Sequence, residues 1–313
     1  MTWDTHEKKY HTYNHYLRDK YGQKVFKVSL NGHFTCPNKD GTKGVGGCIF
    51  CSPSGSGDFA GNIEDDLNTQ FQTVKTMLHD KWPQAKYIVY FQANTNTYKP
   101  VDALKVLFET SITLDKNIVG LNIGTRCDAL DDEKIDLLAR LNTKTDVTVE
   151  LGLQSIHEKT ALWMNRGHDL TCFENAVHAL RKKNIAVVVH IINGLFDEDE
   201  RAMIATTEYL NQLDIQGIKI HMLHIMKNTT LGKIYQAQPF PLLSKEAYVK
   251  ITVKQIERLR PDIIIHRLTG DSPKESLIAP TWTLKKFIVL NEIDKLMRKE
   301  QTYQGKYYKK AAQ

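Results

Sequence analysis

Short apolar runs alternate with longer amphipathic stretches along most of this chain. Val25–Leu30 is the first run and predicts a strand. Leu67, Phe71 and Val74 then recur at three- and four-residue spacing, which sets them on one face of a helix. That helix is expected to begin with Asn62 as its cap, to reach about Lys81 and to stop before Pro83. Tyr87–Phe91 is a β-rich run and predicts the second strand. The pattern then repeats. Helices are expected at 101–111, 131–142, 171–183 and 198–213, and strands at 117–123, 146–151, 185–192 and 216–223. A further helix, strand and helix follow at 244–259, 262–268 and 283–299. Strands that alternate with helices need crossover connections, so the expected fold is α/β with a parallel sheet. Counting the strand before residue 30 gives six βα units.

This reading divides the chain into an aromatic and basic segment at 1–24, a βα core at 25–235, and an extension with a basic tail at 236–313. In the first segment Trp3, Tyr10, Tyr13 and Tyr16 are interleaved with lysines and arginines, and the tyrosines recur every three residues. A helix packed on a barrel rim and a nucleic-acid stacking face are both compatible with that spacing. The tail places Lys306, Lys309 and Lys310 among tyrosines, which fits either a phosphate-binding arm or a solvated end.

Composition narrows the class. Hydrophobic residues make up 41% of 313 and charged residues 25%, ordinary values for a globular protein. The amino terminus is too polar for a signal peptide, and no apolar run reaches the roughly 20 residues of a membrane helix. A net charge of +6 permits a polyanionic partner without requiring one. The five cysteines point to a reducing compartment, because three of them share one loop and a core of this size needs no disulfides.

That loop carries the chemistry. Cys36, Cys48 and Cys51 are separated by eleven and two residues, with Gly41, Gly44, Gly46 and Gly47 between the first two. Thiolates are soft ligands that select zinc or iron–sulfur clusters. Three fall one short of a closed zinc site, for which His33 is the near candidate for a fourth ligand. On an iron–sulfur cluster three cysteines leave one iron open to something else.

Other polar residues fall at predicted strand ends, where ligands bind in parallel α/β folds. Gln92 follows the second strand, and Arg126 and Asp128 follow the third. Arg126 suits a carboxylate or phosphate, and an Arg126–Asp128 pair that orders its own loop is the alternative. In the fourth strand Asp146, Thr148 and Glu150 share one face and Val147, Val149 and Leu151 the other, so a polar face is expected to look into the barrel mouth. Gln154 follows Glu150, and Arg166 lies just beyond. His190, His221, His224 and His266 fall near later strand ends, and Arg267 with Asp271 is expected to close one side of the mouth. Cys127 and Cys172 are expected to be structural.

The three-cysteine loop after the first strand, with Phe50 directly before its last cysteine, resembles the radical S-adenosylmethionine (SAM) enzymes. With its long first gap and the segments Gly124–Asp128, Gly152–Ser155 and Arg267–Asp271, the chain is similar to the YtqA/YhcC-like branch, which is related to the catalytic subunit of elongator. The resemblance implies a partial TIM barrel of six βα units with a C-terminal α/β extension. It implies a 4Fe–4S cluster on Cys36, Cys48 and Cys51, and reductive cleavage of SAM to a deoxyadenosyl radical. For SAM it implies contacts from Phe50 and Gln92, from Glu150 or Gln154 at the ribose, from Arg166 at the carboxylate, and from the segments around Asn193 and Leu223 at the adenine. It further implies a cytoplasmic enzyme that takes electrons from a flavodoxin or ferredoxin. Its expected substrate is tRNA, where a carboxymethylaminomethyl group on the wobble uridine is trimmed to aminomethyl, with Arg126, Asp128, Arg267 and the tail lysines as candidate substrate contacts. A radical SAM enzyme acting on a peptide or small metabolite, and a non-enzymatic zinc-binding RNA module, are the alternative readings.

Overall fold

Strand and helix alternate in the order that the apolar pattern predicts. The structure is a computed structural model that describes residues 8–55, 57, 60–79 and 82–309. Trp3, Lys81 and Lys310, named above, lie outside the described residues. The chain opens with α1 (Tyr13–Tyr21), β1 (Val25–Leu30), α2 (Leu67–His79) and β2 (Lys86–Phe91). It continues through α3 (Val101–Ile112), β3 (Ile118–Thr125), α4 (Asp132–Asn142) and β4 (Asp146–Gln154). Next come α5 (Glu158–Trp163), α6 (Leu170–Lys182), β5 (Ala186–Asn193), α7 (Glu200–Leu210) and β6 (Gly217–Met222). The remainder is β7 (Ile225–Met226), α8 (Thr230–Ala237), α9 (Lys245–Arg258), β8 (Ile264–Arg267), β9 (Leu277–Ala279) and α10 (Lys286–Lys299).

Caps explain most helix starts. Asp131, Asp169, Asp199, Thr229 and Ser244 each accept a backbone N–H two or three residues into the helix that follows. The start expected at Asn62 moves to Leu67. Asp66 accepts the Thr69 N–H at 2.7 Å, while Asn62 instead closes a tight turn onto Glu64.

Seven strands form one parallel sheet in the order β1-β2-β3-β4-β5-β6-β8, curled into a half-barrel of the partial TIM type. The strand of the extension, β8, pairs with β6 and so continues the same sheet. A small antiparallel pair, β7 with β9, flanks it. The outward faces of the strands pack on the helices: Val28, Val89, Phe91, Leu121, Val149, Leu151, Val189 and Ile220 all belong to one large apolar cluster. The inward face is polar. At its centre the buried Glu150 carboxylate accepts from Lys27 at 2.7 Å, Asn122 at 2.9 Å and His190 at 2.8 Å, and pairs with Lys219. The alternation seen in the β4 sequence thus separates an apolar helix-facing layer from a charged interior.

Helix α1 packs against both edge strands, β1 and β8, at the amino end of the sheet. Thr12 bridges to Ile265, and the Ile265 N–H donates to the His11 carbonyl at 2.8 Å. Its tyrosines are packed, Tyr13 stacking on His266 with ring centres 3.8 Å apart. Of the two expectations for this segment, the barrel-packing helix is the one observed. The tail comes back to the same end. Gln304 is fully buried, accepts from the His11 N–H and donates to the carbonyls of Arg260 and Ile263, each at 2.8 Å. Residues 301–308 are therefore a docked plug.

Candidate active site

The cysteine loop is built from its turns. Gly46 and Gly47 hold φ of 79° and 75°, a left-handed backbone that a side chain resists. Asn165 clamps the loop from outside by donating to the carbonyls of Gly47 at 2.8 Å and Val45 at 3.1 Å. Asn38 is fully buried, donates to the Asn165 carbonyl at 2.7 Å and points the same amide at the Cys48 sulfur, 3.7 Å away. Gly167, at φ 78°, has to be glycine because a Cβ there would collide with Asn38. The loop is thus pinned to the turn after α5.

Cys36, Cys48 and Cys51 line one cavity of about 310 Å³ at the carboxyl ends of the strands. The adjoining Cys51 thiol, together with burial, holds the Cys48 thiol well above its ordinary range, so a cationic centre would be needed to draw its proton off. Among the described residues, no three Cys, His, Asp or Glu side chains converge on a point that could hold a single metal ion. Three soft donors around one cavity suit an iron–sulfur cluster. Cys127 and Cys172 lie away from this loop with their sulfurs 3.3 Å apart, as a packed pair between β3 and α6.

Phe50, Gln92, Gln154, Arg126, Leu223 and Arg267 all line the cavity. Phe50 and Leu223 belong to a second apolar cluster with Met164, Ile192 and Ile225, an apolar wall suited to a purine ring. Gln154 sits at a bulge with φ 62°, its amide lying over Gly152. Gln92 follows β2, facing Gly124 across the strands.

Several expected roles change. Glu150 lines the cavity floor, but both of its oxygens are occupied by the interior network described above, so it has no lone pair to spare for a ribose. Its carboxyl is held well below the ordinary range: Lys219 and Lys27 outweigh the opposing effect of burial. Arg166 is only 1% exposed, and its guanidinium donates to the carbonyls of Leu153, Ser155 and His168 and reaches Glu158 at 3.4 Å. It staples the turn that carries the cysteine loop, and a SAM carboxylate would have to compete with those carbonyls. Arg126 grips Asp128 through two hydrogen bonds of 2.9 and 2.7 Å and donates to the Arg166 carbonyl, so this pair orders its loop, and Asp128 does not reach the cavity. Asn193 falls on the outward parity of β5 and exchanges hydrogen bonds with Gln255, leaving Ile192 on the cavity side. Lys306 and Lys309 lie in the tail, whose docking at the amino end of the sheet places them across the barrel from the cavity.

Of the strand-end histidines, His190, His221 and His224 line the cavity, whereas His266 faces Tyr13 at the other end. Burial pushes His190 and His224 down to about 4, helped at His190 by Lys219. Arg267 and Asp271 do stand together on one side of the mouth as an ion pair, which Lys286 joins at 2.8 Å. Pattern reading missed Lys39, Tyr90, His168, Lys219 and Ser272, all in the cavity wall. Lys219 had a readable signal: a lysine inside the apolar run Gly217–Met222, in phase with His221. Burial pushes its ammonium down to about 7 against the pull of Glu150.

Comparison with known proteins now joins this geometry. Residues 40–210 match the model of the radical SAM superfamily, and residues 215–299 match that of the radical SAM C-terminal domain. The chain belongs to the radical SAM superfamily. The Bacillus subtilis protein YtqA, described as uncharacterized, is 50% identical over 304 residues, covering 97% of this chain and 94% of its own. Elongator complex protein 3 of Schizosaccharomyces pombe is 24% identical over 158 residues, which are 50% of this chain and 28% of that protein. An archaeal Elp3 structure from Methanocaldococcus infernus superposes with a TM-score of 0.70 at 16% identity, over 90% of this chain and 64% of that one, a likeness of fold. As a radical SAM enzyme the chain uses a 4Fe–4S cluster and SAM. Cys36, Cys48 and Cys51 would hold the cluster, and together the two cofactors supply a carbon radical that abstracts hydrogen from substrate. The protein's own part is to pin the cysteine loop, wall off solvent and present the polar interior to the substrate.

Proposed function

We propose that this radical SAM enzyme modifies tRNA in the cytoplasm, trimming the carboxymethylaminomethyl side chain of the wobble uridine to aminomethyl with electrons from a flavodoxin or ferredoxin. The observation that supports RNA as substrate is the relation of half the chain to elongator proteins. The cavity agrees with a substrate arm entering beside the cofactors, since polar and cationic residues of β5, β6 and β8 line it together with the three cysteines. A radical suits the task because the C–H bonds beside the side-chain nitrogen are not acidic. No helix among the described residues is long and apolar enough to cross a membrane.

The test compares tRNA nucleosides by mass spectrometry in cells with and without the gene. Loss of aminomethyl uridine and accumulation of the carboxymethylaminomethyl form is the expected result. An unchanged nucleoside profile, together with failure of the purified, reconstituted enzyme to convert tRNA, would refute the proposal.

A further inference from the structure

The two carboxylates that line the cavity are each shared between two cations. In the interior network Lys27 and Lys219 share the single carboxylate of Glu150. At the mouth Arg267 and Lys286 share the single carboxylate of Asp271. Both oxygens of each carboxylate are engaged, and Glu150 and Asp271 are the only acidic side chains among the described residues lining the cavity. Lys219 and Arg267 line the cavity, Lys27 and Lys286 do not, and neither of the first two has a carboxylate to itself.

A second observation points at the same place. The His224 Nε2 and Ser272 Oγ atoms are buried and have no hydrogen-bond partner, although both residues line the cavity. Buried polar atoms in native proteins are ordinarily paired, and an orphan calls for a missing partner. The two belong to one neighbourhood. His224 lies against Gly270, where a Cβ would touch its ring, and Ser272 follows Asp271, the partner of Arg267. A neutral imidazole and a hydroxyl can each donate one hydrogen bond, and the Arg267 guanidinium has N–H groups beyond the one given to Asp271. Two unmet donors beside an under-balanced guanidinium complement a small oxyanion.

We propose that Lys219, His224, Arg267 and Ser272, on β6, β8 and the segments that follow them, form an oxyanion site that holds a negatively charged arm of the substrate, a carboxylate or a phosphate. The assignment rests on the tRNA reading above and adds to it which end of the cavity receives the charged group. A carboxylate on the modified side chain and a backbone phosphate would use the same donors, and they are separable by experiment.

The experiment uses the reconstituted, SAM-loaded enzyme and two tRNA preparations that differ only at the wobble side chain, one carboxymethylaminomethyl and one aminomethyl. Binding of both is measured for wild type, Arg267→Gln and Ser272→Ala. Ser272→Ala loses no hydrogen bond present in the structure, so it keeps the fold, and iron content and SAM affinity check both variants. If the arm is the carboxylate, wild type binds the carboxylated tRNA about ten- to a hundredfold more tightly, and both variants narrow that ratio. If the arm is a phosphate, both variants weaken the two tRNAs alike, which supports the site with the other occupant. Unchanged affinity of both tRNAs in both folded variants would overturn the oxyanion site while leaving the tRNA reading intact. Failure of both tRNAs to bind wild type would remove the tRNA reading and the assignment that rests on it.

Discussion

Replacing Glu150 by Gln separates the role the interior gives this residue from a role at the cofactor. Its buried carboxylate is the common partner of Lys27, Lys219, His190 and Asn122. Removing one partner of a buried ion pair costs about 3–5 kcal/mol, because the remaining charge is stranded. The pH dependence follows from Lys219, which is pushed down to about 7 although Glu150 holds it up. A lysine depressed on folding makes the unfolded chain the better proton binder, so stability falls as pH drops from the unfolded value to the folded one and then levels off. In wild type the levelling begins near pH 7. In Glu150→Gln the folded value is lower still, so the decline continues. The deficit of the variant should thus widen between about pH 8 and about pH 6 by roughly 1 kcal/mol, the order of one pKa unit. Starting near about 3 kcal/mol at the higher pH, it should reach about 4 at the lower. Urea unfolding followed by circular dichroism at both pH values, under anaerobic conditions, measures it. A stability within about 0.5 kcal/mol of wild type, or a deficit that does not change with pH, would refute the argument. A fall in SAM affinity with stability intact would return Glu150 to the ribose.

Single Ala replacements of Cys36, Cys48 or Cys51 should abolish cluster binding in an iron assay after reconstitution, while Cys127→Ser and Cys172→Ser should retain full iron. Arg166→Gln should lower stability by about 2 kcal/mol in urea titration, since the Ser155 carbonyl loses its guanidinium donor and the Leu153 carbonyl keeps only the Ser155 N–H. SAM affinity of the folded fraction should move far less, and a large affinity loss without destabilisation would restore the carboxylate contact. Gln304→Ala should cost about 2–3 kcal/mol by the same assay, because the Ile263 carbonyl loses its side-chain donor, the His11 N–H loses its acceptor, and the Arg260 carbonyl keeps only the Ile263 N–H. A loss below about 0.5 kcal/mol would show that the tail is not part of the core.

Period-based reading served well wherever one side of an element is apolar. The alternation of Val147, Val149 and Leu151 with Thr148 and Glu150 foretold both the strand and its polar inward face, and the three cysteines announced their loop. It failed where a side chain's task is set by carbonyls brought near from elsewhere. Nothing in the local pattern around Arg166 says that three backbone oxygens await it. Asn193, placed near the adenine by the resemblance, shares the outward parity of β5, and its partner Gln255 lies on a distant helix. The tail reads as a basic arm or a solvated end because its lysines are visible in the sequence, while the polar Thr302 and Gln304 that bury themselves carry no apolar signal.

The amino end of the barrel has a consequence for how the protein is made. Lys8 pairs with Asp294, the His11 N–H meets Gln304 across 293 positions, and α1 rests against β8. During synthesis Leu17 of α1 can settle early on β1 and β2, but the contacts of α1 with β8 and of Lys8 and His11 with α10 and the tail must wait for those later segments. Pairings of such long range are entropically late. The two segments should therefore meet last, like a clasp, and a bulky group placed on residues 301–308 would bear on that clasp rather than on the catalytic mouth.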